Sequence, residues 1–219
     1  MTGITPGEEW GIREDAAPDL TVAGDDADLA AAIRAAPAGV LVAFAPSPAS
    51  DVARAIGLQA GAPARGLALP MDAIELADGT LAVNAVVLGT PPDRLTAFDR
   101  SGEVIVGLDG REQTCAAATT VVVATGQWLR GVDLVPRGHP GDGRAEVQVY
   151  RLHRGERRPM RARLPTGTHL PHPRIVTRTA VLIEARASRP LAVEVDGRAR
   201  PRAATLRARL LPTRYRLLV

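Results

Sequence analysis

The apolar pattern of this chain changes period near residue 60. Before that point, residues 20–23 suit a short strand. Residues 39–45, G-V-L-V-A-F-A, form a continuous apolar run of the kind that a buried parallel strand shows. Between them residues 28–36 are Ala-rich and built of good helix formers, with Asp25 or Asp26 placed to cap the helix. Ser50 and Asp51 open a second, shorter helix over V-A-R-A-I-G-L, with Gly57 near its end. Strand, helix, strand and helix in that order predict an α/β segment with a parallel sheet. Residues 1–20 carry no clear period and read as a lead-in.

Residues 60–70, A-G-A-P-A-R-G-L-A-L-P, read as a linker and domain boundary. Beyond it the pattern becomes short strands separated by turns. Residues 72–76 and 80–88 flank Asp78-Gly79, and residues 103–108 and 113–123 flank Asp109-Gly110. Further strands are expected at 145–152, 174–185, 191–195, 204–211 and 214–219, with Asp196-Gly197 as another turn. Asp-Gly between apolar runs signals a hairpin, and many short strands joined by such turns predict a β-sandwich. Residues 153–164 are basic and suit a short helix, against which Gly155 and Pro159 count.

Composition narrows the picture. A chain of 219 residues, 46% hydrophobic, can bury a substantial core in one or two domains. Aromatics are only 3%, so that core must be mostly Val, Leu, Ala and Ile. No apolar run approaches the roughly 18 to 20 residues that span a bilayer. The opening M-T-G-I-T-P-G-E-E-W has neither a cationic start nor an apolar stretch, so no secretory signal is read there. Cys115 is the single cysteine and cannot form an internal disulfide; a buried structural thiol and a cytoplasmic location are expected.

All 27 basic residues are Arg, whose guanidinium pairs bidentately with phosphate and keeps its charge at any working pH. They are unevenly placed. Residues 1–150 hold 10 Arg and 20 acids, net −10, and residues 151–219 hold 17 Arg and 4 acids, net +13. Either the halves face each other and Arg decorates solvated strands, or the basic half meets an anionic partner. The cluster Arg154, Arg157, Arg158, Arg161 and Arg163 is the candidate surface for anionic lipid. Nucleic acid is the weaker fit, because binding single strands needs stacking aromatics and this half offers only Tyr150 at its border and Tyr215. His169 and His172 lack the spacing of a zinc site and read as loop residues.

Several motifs resemble one known family. V-A-G-D-D-A-D-L at residues 22–29 and A-P-S-P-A-S-D-V-A-R-A-I-G-L at 45–58 resemble the nucleotide-binding stretches V-A-G-G-D-G-T-L and L-P-A-G-T-x-N-D-F-A-R-A-L-G-L of the bacterial diacylglycerol kinases. M-D-A-I-E-L at 71–76, Asn84 and Gly89 in L-A-V-N-A-V-V-L-G, the run at 121–136, the segment at 141–149 and V-E-V-D-G-R-A-R at 193–200 resemble further stretches of that family in the same order. The chain thus resembles the diacylglycerol kinase and sphingosine kinase superfamily from about residue 20 to its end.

The resemblance implies an α/β nucleotide segment, shortened here and assigned to residues 1–62, followed by a β-sandwich at 63–219 whose last strand region returns to the first segment. It implies phosphoryl transfer from ATP to a lipid hydroxyl with Mg²⁺. By position, Gly24, Asp25, Asp26, Ser47, Ser50 and Asp51 stand where the nucleotide would lie, Asp196 where the general base stands, and Asp142 at the Mg²⁺ site. The departures are equally specific. Asp25 and Asp28 replace a glycine and a threonine, and Pro48 replaces a threonine whose hydroxyl and N–H are lost. Arg198 stands in place of a glutamate. A degenerate homologue is therefore expected, one that binds a lipid or amphiphile, holds no nucleotide or metal tightly, and is peripheral to membrane if it meets one. An active lipid kinase and a self-associating scaffold are the alternatives.

Overall fold

A computed structural model describes residues 10–59 and 66–219. In chain order the elements are β1 (Ile12–Arg13), β2 (Leu20–Gly24), α1 (Asp26–Arg34), β3 (Val40–Pro46), α2 (Asp51–Ile56), β4 (Leu67–Leu76), β5 (Leu81–Ala82), β6 (Ala85–Gly89), β7 (Gly102–Leu108), β8 (Arg111–Ala118), β9 (Thr120–Ala124), β10 (Trp128–Leu129), β11 (Val132–Asp133), β12 (Ala145–Tyr150), α3 (Arg154–Arg163), β13 (Ile175–Ala180), β14 (Leu182–Val195) and β15 (Arg198–Leu218). The expected α/β segment and β-sandwich are both present. Residues 1–9 of the lead-in and 60–65 of the linker lie outside the described residues. The remainder of the linker is not a linker, since β4 begins at Leu67.

β15 joins the two parts. Its first half pairs antiparallel with β14, its second half pairs antiparallel with β4, and Tyr215 to Leu218 also pair parallel with Val40 to Ala43 of β3. β2 adds to β3 in parallel. Two strands that sequence reading separates, at 204–211 and 214–219, are thus one strand of 21 residues. The irregularity between them is a bulge that shifts register between Leu211 and Tyr215, with Thr213 at φ +49°. Buried Asp72 closes it. Its Oδ1 accepts from Thr213 N–H at 2.9 Å, and its Oδ2 accepts from Gly143 N–H at 2.7 Å.

Burial explains the strand composition. Val86, Leu88, Val121, Val123, Val147, Ile183 and Leu206 belong to one core between the sandwich layers. Val87, Val122 and Tyr150 point the other way, into a second core closed by Leu152, Met160 and Leu164. β6 and β9 are therefore buried on both faces, which accounts for their unbroken apolar runs. Leu29, Ile33, Val42, Phe44, Met71 and Leu217 form a third core under α1. Cys115 is buried in the sandwich core, and burial pushes its thiol up.

The Asp-Gly turns form as expected. Asp109-Gly110 and Asp196-Gly197 have φ of +48° and +82°, and +44° and +77°, the positive values that a type I′ turn needs. Several expected strands are divided instead. Residues 80–88 break at Val83 and Asn84, 113–123 at Thr119, and 174–185 at Val181. The last break is held by Asp109, whose Oδ1 accepts from Val181 and Leu182 N–H at 3.0 and 2.8 Å. α3 forms despite Pro159, because Arg157 and Met160 are buried beneath it and tertiary packing outweighs local propensity.

Replacing Asp72 with Ala leaves the N–H groups of Thr213 at the bulge and of Gly143 in the loop before β12 without an acceptor and is expected to cost at least about 2 kcal/mol. Glu75→Ala, which removes an ion pair with Arg209 at the surface, is expected to cost at most about 1 kcal/mol. Urea unfolding measures both, and equal losses would show that Asp72 does not hold the bulge.

Candidate functional site

The resemblance-derived residues meet where α1 and α2 begin and where the β14–β15 turn approaches them. Asp25 caps α1. Its Oδ1 accepts from Ala27 and Asp28 N–H at 3.0 and 3.2 Å, and Asp28 Oδ2 accepts from Asp25 N–H at 2.9 Å. Gly24 precedes this capping box at φ +133°, and a Cβ there would collide with Asp28 Oδ2, so glycine is required. Ser47 N–H donates to the Gly24 carbonyl at 2.7 Å and ties the two loops together.

Asp26 is buried and reaches across to α2. It accepts from Ser50 Oγ at 2.5 Å, from Asp51 N–H at 3.0 Å and from Val52 N–H at 3.3 Å. Ser50 in turn accepts from Ala53 N–H at 3.0 Å as the cap of α2. Burial, together with the charge of Asp51, pushes Asp26 up to about 6 against these donors. Asp51 faces the sandwich, where it accepts from the backbone N–H groups of Arg130 and Gly131, the latter at 2.8 Å. The N–H groups of Ala27, Asp28, Asp51, Val52 and Ala53, which an anion at the two helix starts would seek, are thus taken by the chain's own side chains.

Asp196 sits at the β14–β15 turn and is buried. Its Oδ1 accepts from Asn84 and Ala85 N–H at 3.0 and 2.9 Å, and its Oδ2 accepts from Val83 N–H at 2.8 Å. This carboxylate is the reason β5 and β6 are separate strands. Burial, and then the charge of Asp26, pushes it up to about 7. Beside it Arg198 extends from β15 to α1, with Nη2 at 2.7 Å from Asp25 and 3.5 Å from Asp28. The cavity left between α1 and this turn is about 230 Å³ and includes Arg34, Asp196, Arg198 and Arg200 in its lining.

The remaining expected residues are placed elsewhere. Asp142 lies in the loop before β12 and accepts from Arg144 N–H at 3.0 Å. Burial raises its pKa, and the His139 carbonyl near it accepts from Asp142 N–H at 3.4 Å. Among the described residues no group of three or more His, Cys, Asp or Glu is positioned for a metal. Arg154 and Arg158 are exposed on α3, and Arg161 is half-buried. Arg157 corrects its expectation: it is 2% exposed and unavailable to a headgroup, because it points inward to main-chain carbonyls.

Sequence reasoning misses Arg130. It turns the chain between β10 and β11 at φ +48°, pairs bidentately with Asp93 and also meets Glu194, and so ties α2's partner loop to the sandwich. The Arg-Gly turn is its only local signal. Nor does any motif point to a cavity of about 670 Å³. It lies on the sandwich, with buried Val135, Gln148 and Ile175 in its lining and exposed Arg137, Pro171 and Arg178 around them.

This is the architecture of a kinase-like β-sandwich carrying an α/β segment, and comparison with known proteins agrees. The model of the YegS C-terminal NAD kinase beta sandwich-like domain matches residues 72–219. The chain belongs to that family. Two structures of a putative diacylglycerol kinase from Bacillus anthracis str. Sterne align with TM-scores of 0.72 and 0.73 at 16% and 15% identity; each covers 91% of this chain and 78% and 76% of the other. Yeast NADH kinase complexed with NADH aligns with a TM-score of 0.52 at 12% identity, covering 92% of this chain and 62% of that one. No curated protein matches the chain at a significant level.

The raised carboxyls make stability depend on pH. Asp196 near 7, and Asp26 and Asp72 near 6, each bind a proton more tightly when folded than when unfolded. Raising pH through that window therefore favours the unfolded chain. His139 and His169, whose pKa burial lowers, act in the opposite sense but are neutral in both states above about pH 7. The melting temperature is expected to fall between about pH 7 and pH 8, and Asp196→Asn to flatten that fall while lowering stability overall. A melting temperature that rises over this range would overturn the assignment.

Proposed function

We propose that this chain is a lipid-kinase-family member that holds a lipid or other amphiphile without phosphorylating it. The observation supporting this most directly is the occupation of the two helix starts by Asp25, Asp26 and Ser50. A nucleotide loop presents free N–H groups and glycines to phosphate oxygens. Here a triphosphate would displace both caps, meet the carboxylates of Asp25 and Asp28, and break their pairing with Arg198. Asp196, the residue aligned with a general base, is engaged by three backbone donors.

The amphiphile is better matched to the sandwich cavity than to the cleft. Small-molecule sites run from roughly 300 to 1,000 Å³ and combine an apolar lining with a few polar groups. The sandwich cavity, at about 670 Å³, meets the first condition and sets Val135, Leu170 and Ile175 beside polar Gln148, His172 and Thr177, whereas the cleft cavity is about 230 Å³ and strongly basic. No helix among the described residues is long and apolar enough to cross a membrane.

Calorimetry with Mg·ATP is expected to give no saturable binding below about 1 mM, and a low-micromolar Kd would overturn the non-phosphorylating reading. Mass analysis of lipid extracted from the purified protein tests the other half. A bound amphiphile is expected, and Thr177→Trp, which fills the sandwich cavity, is expected to reduce it severalfold. Lipid-free protein, or lipid unchanged in the variant, counts against the cavity.

A further inference from the structure

One aromatic side chain is held out in solvent. Phe98 is 92% exposed, whereas Phe44, Tyr150 and Tyr215 are buried. A dense set of hydrogen bonds fixes its turn. Asp99 accepts from the Thr90 hydroxyl at 2.6 Å and from the N–H and hydroxyl of Thr96 at 2.6 and 2.7 Å. Phe98 N–H reaches Thr96 Oγ1 at 3.3 Å. From below, Arg157 Nη1 donates to the carbonyls of Thr96 and Asp99 at 2.8 and 2.7 Å, and its Nε donates to that of Leu152 at 3.3 Å. Withdrawing a guanidinium from water is costly, and this one meets carbonyls rather than a carboxylate. The fold therefore commits a buried cation to setting the direction of a surface turn.

The surroundings are positive. Arg100 follows on the same loop, and Arg154 and Arg158 are exposed on the helix that carries Arg157. Two nearby acids are already engaged, Asp99 within the turn and Glu156 with Arg174 at 3.2 Å. An exposed ring flanked by guanidinium groups matches a bilayer interface, where the ring enters the acyl boundary and arginines meet anionic headgroups. A single exposed ring is a poor platform for stacking bases.

We propose that the 96–100 turn and the exposed side of α3 form a docking surface for an anionic lipid bilayer, with Phe98 as the inserted anchor and Arg157 as its positioning residue. The choice of a bilayer rests on the amphiphile-binding reading above, since such a protein must reach a lipid phase. The surface itself does not depend on which cavity holds the lipid.

Co-sedimentation with vesicles of phosphatidylcholine alone, or mixed with phosphatidylglycerol, tests it. Binding is expected only to the mixed vesicles and is expected to weaken with salt, because exposed charges are screened within about 8 Å at physiological ionic strength. Phe98→Ala is expected to weaken it about tenfold. Arg154→Glu and Arg158→Glu are each expected to cost about fivefold or more. Arg178→Glu, the same charge change on β13, is expected to bind as the parent does. Equal binding to both vesicles, or parent-like binding by Phe98→Ala, would overturn the proposal. So would a parent protein that ignores vesicles and binds an oligonucleotide or another protein. If vesicles fail while extracted lipid persists, the docking surface falls and the amphiphile reading stands. If vesicles bind while no lipid is extracted, the surface stands and the amphiphile reading falls.

Discussion

A backbone N–H left over where a strand breaks or a helix begins must find an acceptor, and in this chain carboxylates supply it. Asp25 and Asp26 serve the starts of α1 and α2, Asp51 the β10–β11 turn, Asp72 the bulge in β15, Asp109 the break before β14 and Asp196 the break between β5 and β6. Most of these aspartates fix a junction between elements distant in sequence. The junctions bring the α/β segment, the bridging strand and the sandwich into one register. The same use engages these carboxylates and N–H groups within the fold itself.

How much of this is legible in the sequence depends on the range of the cause. The Asp-Gly turns follow from two adjacent residues, and sequence alone places them. The strand break at Val83 and Asn84 is hidden, because its cause, Asp196, lies more than a hundred residues away. The bulge at Thr213 looks like a gap between strands for the same reason, Asp72 being its distant partner. Gly155 and Pro159 argue against α3 as local signals, while the contacts that form it are not local. Arg157 looks like one of a surface cluster because charge predicts exposure in general and tertiary structure alone reverses it.

The candidate site follows a related rule. Asp25, Asp28 and Arg198 each depart from the resembled pattern, and separately each reads as a loss. In space they form one ion-paired contact across 173 residues of sequence, between the first helix and the last turn. Opposite charges on the two sides of the cleft thus pair the first helix with the last turn. The surface charge is governed by the same logic: where arginines have acids within reach they pair, as Arg130, Arg174 and Arg209 do, and the net excess of the C-terminal part is left to exposed helix and strand positions.

The 21-residue β15 also orders events in time. β3 and β4 are synthesised early, yet both take their central neighbour from residues near 215–218. On the ribosome the α/β segment therefore waits, its apolar face uncovered, until the whole sandwich has been translated and the closing strand has emerged. Until then the nascent chain leaves the β15-facing edges of β3 and β4 unpaired.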